Sequence, residues 1–458
     1  MRRKIFLMLA ICVSAFVFST AALAQQKFTA SLNGPQEVPP INSPGRGSCV
    51  ITLNTTETQF TVTCTYSGLT TNVVGAHIHD AGPVGVSGPV RFNFNYTGTT
   101  SGTIGPLTFP ATGQLTPAQV ADLRAKRWYV NIHTTQFTGG EIRGQVKIAS
   151  TVFDLDGDGR TDITAFRQSA NTFFVLNSVN SNITANQFGS GAGDFWLNNT
   201  GDFDGDGRGD PLLIKLVNNE AFHSILQSGS NTVRTVQWGN FSAAINDSLA
   251  YGDYDGDAKQ DIAVFRRSTG VWYILESSTN TGRVVQNFGA VNDFPSVGDY
   301  DADGRTDLCV VRAEGGQRVW YIQNSSNGQS RRVEFGASAT DGVFFFSPVD
   351  VDGDGRQDIL VNRTINGQRV FFVLQSSNNQ VFVLTWGLST DTALFGDYDG
   401  DGRTDFVARR NIGGLLVWYI YQSSNQQGRA VTFGQTGDQR FVEPFLPVSS
   451  DEVLEILD

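Results

Sequence analysis

One nine-residue pattern recurs six times and governs what most of this chain can become. The copies begin at Asp154, Asp202, Asp253, Asp299, Asp350 and Asp397, each reads D-x-D-x-D-x-x-x-D, and successive copies lie 48, 51, 46, 51 and 47 residues apart. A period of that size marks a repeat architecture, in which each unit buries its apolar face only against its neighbours. After each copy comes an apolar β run, such as Asp261-Ile262-Ala263-Val264-Phe265, and then an aromatic-rich one, such as Trp272-Tyr273-Ile274-Leu275. A third run ends in an aromatic-glycine pair: Phe188-Gly189, Trp238-Gly239, Phe288-Gly289, Phe335-Gly336, Trp386-Gly387 and Phe433-Gly434. With the short strand leading into the next copy, each unit holds four strands, the content of a propeller blade. Ordinary helices have no room. The expected fold class is all-β, with a propeller of six four-stranded blades over residues 150–458. The tail from Phe441 to Asp458 is expected to return as the closing strand; a seventh blade without an acidic loop is the alternative.

The spacing within the pattern suggests its chemistry. Carboxylates at loop positions one, three, five and nine, with the backbone carbonyl of position seven, place several hard oxygens around a tight turn. Calcium accepts such cages in flexible geometry, whereas magnesium demands a stricter octahedron. The candidate ligands are Asp154, Asp156, Asp158, Asp162 and the Arg160 carbonyl; Asp202, Asp204, Asp206, Asp210 and Arg208; and Asp253, Asp255, Asp257, Asp261 and Lys259. The other three sets are Asp299, Asp301, Asp303, Asp307 and Arg305; Asp350, Asp352, Asp354, Asp358 and Arg356; and Asp397, Asp399, Asp401, Asp405 and Arg403. These loops are not EF-hands. Position twelve, where that motif needs a bidentate Glu, holds Ala165, Leu213, Val264, Val310, Val361 and Ala408, all within strands. Four carboxylates in nine residues repel one another strongly without a cation. Position six is Gly in five copies and Ala258 in the third, so the third site is expected to be weakest. The repeats resemble the FG-GAP/VCBS family of calcium-binding propeller blades found in integrin heads and many bacterial surface proteins. That resemblance covers about 300 residues and implies about six calcium ions.

The N-terminus follows other rules. Arg2, Arg3 and Lys4 precede an apolar stretch from Ile5 to about Phe18, and small residues end at Ala22-Leu23-Ala24. This is the plan of a secretory signal peptide over residues 1–24, with an apolar run short of the ~20 residues a spanning helix needs. The mature chain is expected to be secreted or held in the cell envelope, without a membrane span and as a monomer. Removal of the signal leaves 30 Lys and Arg against 44 Asp and Glu, a net charge of −14, and 24 of the 44 acids occupy the four carboxylate positions of the loops. Lacking Lys/Arg tracts, the chain has no electrostatic footprint for nucleic acid.

Between these regions, residues 25–149 alternate short β runs with Gly, Pro and Asn turns. Pairing Cys49–Leu53 with Phe60–Cys64 as a hairpin sets Leu53 opposite Phe60 and Cys49 opposite Cys64, a natural cross-strand disulfide in an oxidising compartment. Cys309 is then left as a buried small apolar side chain. One helix is expected from Thr116, with Pro117 in its first turn and a capping box between Thr116 and Gln119. His77 and His79 face one side of a strand, and His133 offers a third imidazole for copper or zinc; Glu141 is a candidate carboxylate ligand or imidazole-orienting group. The alternative is a set of histidines hydrogen-bonded to loops.

The segments Phe28–Gly34, Gln36–Pro40, Ala76–His79, Gly88–Val90, Tyr129–Thr134 and Gly140–Gln145 together resemble the CHRD domain, the module named after chordin. The resemblance implies an extracellular β-sandwich and no settled reaction. The His-x-His strand is also similar to the metal strand of copper/zinc superoxide dismutases, without their further ligand pattern.

No G-x-S-x-G elbow or plausible Cys nucleophile occurs, and His223 is the lone histidine outside the first region. Glu220, Glu276 and Glu314 are the carboxylates left for a glycosidase pair. Trp272, Trp320 and Trp418 could stack on sugars, but their strand positions favour inter-blade packing. The leading expectation is a secreted, non-enzymatic, adhesion-type protein that presents the propeller to an extracellular protein or glycan. A metal-dependent enzyme built on His77, His79 and His133, or a purely structural envelope or matrix component, are the alternatives.

Overall fold

The computed structural model describes residues 26–148, 153–189, 194–196 and 201–438, apart from 55, 84, 125, 179, 258, 302–303 and 344–348. The expected signal peptide, the tail from Phe441, Ala258 and the candidate ligand Asp303 lie outside the described residues.

The N-terminal unit contains β1 (Gln26–Asn33), β2 (Arg46–Leu53), β3 (Phe60–Ser67), β4 (Val73–His79), β5 (Val90–Asn93) and β6 (Gly102–Phe109). After the helix α1 (Pro117–Arg124) come β7 (Tyr129–Thr134), β8 (Ile142–Gln145) and β9 (Lys147–Ile148). The strands form one hydrogen-bonded sheet in the order β5-β4-β7-β8-β1-β2-β3-β6, with β9 paired to β1. Its two ends meet: Phe109 of β6 lies 5.5 Å from Phe92 of β5, and Phe60 packs edge-on against Phe92 and Trp128. The expected sandwich is thus a single sheet folded over one core. Period-two alternation directs the side chains, and on β3 Phe60, Val62, Cys64 and Tyr66 point inward while Thr61, Thr65 and Ser67 face water.

The β2–β3 register sets Leu53 opposite Phe60 and Cys49 opposite Cys64, and the two cysteines are bonded. Cross-linking residues 15 apart restricts the unfolded chain. Replacing both cysteines by Ala is expected to cost about 3 kcal/mol, read as a lower denaturant midpoint for this unit. Helix α1 carries the expected capping box, with the Thr116 amide donating to Gln119 Oε1 (2.8 Å) and the Gln119 amide to Thr116 Oγ1 (3.2 Å).

Six sheets follow. The first has three described strands, Ile163–Arg167, Thr172–Leu176 and Ile183–Gln187; the other five have four each, as in Asp247–Leu249, Ile262–Arg266, Val271–Glu276 and Thr281–Val285. This is a six-bladed propeller. Trp272, Trp320 and Trp418 are buried, and each indole N–H donates to the carbonyl of the aromatic-glycine pair in its own blade, Phe288, Phe335 or Phe433. They belong to the core and present no face to a sugar. His223 takes the same place in the second blade: its Nε2 bonds the Trp238 carbonyl at 2.7 Å and its Nδ1 accepts from Tyr251. Cys309 is buried as expected, and burial pushes its thiol up to about 12.

Among the described residues, two features close the ring with six blades and join the last directly to the first. The amide of loop position eight donates to the position-one carbonyl of the preceding loop at Gly209–Asp154, Gln260–Asp202, Thr306–Asp253, Gln357–Asp299 and Thr404–Asp350. The sixth bond, Thr161 to Asp397 at 2.7 Å, joins loop six to loop one. Arg167 of the first blade also forks onto Asp438, the last described residue, at 2.7 and 3.0 Å. The same latch recurs as Arg266–Asp247, Arg312–Asp293, Arg363–Asp341 and Arg410–Asp391, each pairing an arginine five residues past the loop with a buried aspartate.

Candidate metal centres

The six acidic loops adopt one local plan because the position-one carboxylate caps its own turn. In the first loop, Asp154 accepts from the amides of Gly157 (2.7 Å), Asp158 (3.0 Å) and Gly159 (2.7 Å). Gly157 and Gly159 both have positive φ, the left-handed conformation that a residue with Cβ adopts at a cost. The turn folds the acidic positions together: in the first, third and fourth loops, oxygens of positions one, three and nine come within 4.8 Å of one another. In the second loop the convergent set is Asp202, Asp204 and Asp206.

The sequence did not reveal what supports these carboxylates. A serine in the turn after the second strand clasps each loop: the amides of Ser178, Ser228, Ser277, Ser325, Ser376 and Ser423 donate to the position-nine carboxylate at 2.6–2.7 Å. Five of these serines also donate Oγ–H to the position-five carboxylate, at 2.8–2.9 Å. A repeated Ser at 16 or 18 residues past position nine was the available signal. Position seven contributes more than its carbonyl. Arg208 and Arg403 fork onto Asp206 and Asp401, and Arg356 onto Asp354, so one oxygen of each position-five carboxylate is engaged by a guanidinium.

The oxygens offered are hard, close together and largely buried, and this donor chemistry fits calcium. Burial, reinforced by neighbouring carboxylates, holds Asp154 and Asp350 well above the usual carboxylate range. Burial likewise pushes Asp162, Asp202 and Asp358 up to about 7 and Asp307 to about 8. A divalent cation would relieve that penalty by supplying the opposite charge.

The third loop differs in a way that Ala258 did not foretell. Lys126, just past α1, places its ammonium 3.6 Å from Asp253 Oδ2 and 3.4 Å from the Gly256 carbonyl. A lysine from the N-terminal unit thus stands beside a candidate ligand.

The histidines of the N-terminal unit do converge. β4 pairs with β7, and His77 lies opposite Asn131, next to His133 two residues along. His77 Nδ1 is 3.0 Å from His133 Nε2. His79 Nδ1 bonds the Gly88 carbonyl (2.9 Å) and His133 Nδ1 the Thr138 carbonyl (2.8 Å). Both rings therefore turn Nε2 towards Asn131 Oδ1, at 3.0 Å each. Burial, then the adjacent imidazoles, lowers His77 to about 4, and burial also lowers His79 and His133.

Glu141 is not among these groups. It accepts from Ser43 Oγ, the Thr70 amide, Thr70 Oγ1 and Thr134 Oγ1 at 2.7–2.8 Å, and so ties three segments together instead of orienting an imidazole. Burial raises its pKa, but those hydrogen bonds outweigh burial and hold it below the ordinary value. The orienting groups are backbone carbonyls, and the residue that sequence reasoning missed is Asn131.

The remaining carboxylates have separate partners. Glu220 accepts from Gln237, Glu276 pairs with Arg283, and Glu314 with Arg312, Arg332 and Tyr321, each on a different blade.

Residues 28–146 match the CHRD domain model, and residues 299–361 match the FG-GAP-like repeat. No curated protein matches the chain. Among solved structures, TolB from Acinetobacter baumannii is similar at 12% identity and a TM-score of 0.34, over 68% of this chain and 61% of that one. The chain thus spans about three fifths of TolB's length. An oligogalacturonate lyase in complex with manganese is similar at 10% identity and a TM-score of 0.34, over 64% of this chain and 82% of that chain. The NanB sialidase from Streptococcus pneumoniae is similar at 9% identity and a TM-score of 0.23, over 91% and 89%. Likeness at this level bears on no activity. The two family matches and the repeated blades agree: the chain carries an N-terminal CHRD domain followed by a six-bladed β-propeller that contains an FG-GAP-like repeat.

Proposed function

We propose that this is an exported, calcium-binding recognition protein of adhesion type, in which ions in the six loops stiffen the propeller and its surface engages an extracellular protein or glycan. The observation that carries this reading is the ring of acidic loops, joined end to end by six backbone hydrogen bonds. In such a ring the carbonyl of each position-one aspartate is tied to the next loop, so ordering one loop helps to order its neighbour. Asp154, Asp158, Asp162, Asp202, Asp210 and their counterparts would hold the ions, which supply positive charge and rigidity. A non-enzymatic role is supported by the separate engagement of Glu220, Glu276 and Glu314, because a glycosidase pair needs two carboxylates facing one cleft.

The test is capture on glycan arrays and from extracellular fractions, using the full mature chain with millimolar calcium and again in EGTA. A defined partner retained with calcium and released by EGTA is expected. Hydrolysis or cleavage of the captured glycan, or binding indifferent to calcium, would replace this reading.

A further inference from the structure

We infer that His77, His79 and His133 form a site for one zinc or copper(II) ion, with His77 Nδ1, His79 Nε2 and His133 Nε2 as its ligand atoms. The site lies in the N-terminal unit, and the inference does not depend on calcium in the propeller.

Four observations converge on it. First, one ligand atom from each histidine lies within 4.8 Å of the other two. Second, ligands on a tetrahedral zinc ion, bonded at about 2.0–2.1 Å, stand roughly 3.3 Å apart, and the His77 Nδ1–His133 Nε2 separation is already 3.0 Å. Third, the rings are oriented from behind. The Gly88 and Thr138 carbonyls accept only a proton-bearing Nδ1, which leaves bare lone pairs on His79 Nε2 and His133 Nε2. Backbone carbonyls commonly fix the tautomer of metal-bound histidines in this way. His79 is further held flat against Tyr129, with ring centroids 4.4 Å apart and planes at 10°.

The fourth observation is an unbalanced contact. Asn131 Oδ1 faces His79 Nε2 and His133 Nε2 at 3.0 Å, so three acceptor atoms meet with no proton assigned between them. A cation among them relieves this opposition. The competing arrangement turns the Asn131 amide over, so that its NH2 group donates to both imidazoles and no ion is needed. Imidazole donors suit zinc and copper, and copper(II) binds most tightly in the divalent series. Calcium prefers oxygen and is a poor competitor for this site.

The experiment titrates cobalt(II), a spectroscopic stand-in for zinc, into the full mature chain with millimolar calcium present to fill the propeller loops. One equivalent should bind with the intense visible absorption of a tetrahedral nitrogen site, and zinc or copper(II) should displace it. His77→Gln and His133→Gln, at half-buried positions, should each weaken binding on the order of a hundredfold or more. Unchanged circular dichroism and thermal midpoints would establish that these variants fold. Asn131→Asp, which places a negative charge beside the ion, should bind cobalt at least as tightly as the parent. No saturable binding of cobalt, zinc or copper(II), or binding equal in the parent and both histidine variants, would overturn the inference in favour of the amide-centred network.

Discussion

Excess EGTA is expected to lower the thermal midpoint of the propeller by more than about 10 °C while leaving the transition of the N-terminal unit in place. A ligand that binds only the folded state adds about 2.7 kcal/mol when present at a hundred times its Kd. Two such sites supply roughly 5 kcal/mol, and about 2 °C of midpoint per kcal/mol is usual for a domain of this size. The effect should exceed that of two sites because the loops are chained through position-one carbonyls, from Asp154 round to Asp397 and back to Thr161. Scanning calorimetry with and without EGTA reads both transitions. A propeller midpoint that does not move would remove calcium from its structure. The N-terminal unit is the internal reference, since its core and its Cys49–Cys64 bond involve none of these loops.

The chelated protein should also lose stability as pH rises from 6.5 to 8, whereas the calcium-loaded protein should not. Burial, with neighbouring carboxylates behind it, raises Asp162, Asp202 and Asp358 to about 7 and Asp307 to about 8, and holds Asp154 and Asp350 well above the ordinary carboxylate range. In the unfolded chain an aspartate titrates near ~3.9. The folded, ion-free state therefore holds more protons over this interval, and stability falls with pH wherever that is so. The contribution of these groups is fully present below their unfolded pKa and is lost through their folded values. Histidine works the other way but weakly: burial lowers His223, the histidine of the propeller, to about 4, so near pH 6.5 its unfolded form holds about half a proton more, less than the excess that the raised aspartates hold in the folded state. Bound calcium keeps the same carboxylates ionised, and protons compete with it only as pH falls. Urea midpoints at pH 6.5, 7.25 and 8, in calcium and in EGTA, should give slopes of different sign; parallel slopes would show that these carboxylates are not linked to the ion.

Much of this molecule could be read along the chain because its chemistry is local. Four aspartates in nine residues, repeated at a blade's length, define both the loop and its number, and the six sheets follow them. The Cys49–Cys64 pair was legible for the same reason: a short turn sets the register, and Leu53 opposite Phe60 carries Cys49 to Cys64. The histidines were half legible. His-x-His on one strand is a local pattern, but His133 joins it only because β7 lies against β4.

The partners of side chains brought together by strand pairing belonged to the tertiary structure alone. Glu141 is close to His133 in sequence, yet the fold aims its carboxylate at Ser43, Thr70 and Thr134, and gives the place between the imidazoles to Asn131. The serine clasp and the Arg–Asp latch join neighbouring strands of one blade, and Lys126 reaches Asp253 from the N-terminal unit; none of these contacts follows from the local spacing of the acidic loop. Sequence determined the inventory of donors and the period at which they recur, because those depend on composition and spacing. Only the tertiary structure decided which donor meets which acceptor, because a hydrogen bond of about 3 Å depends on where distant backbones come to rest.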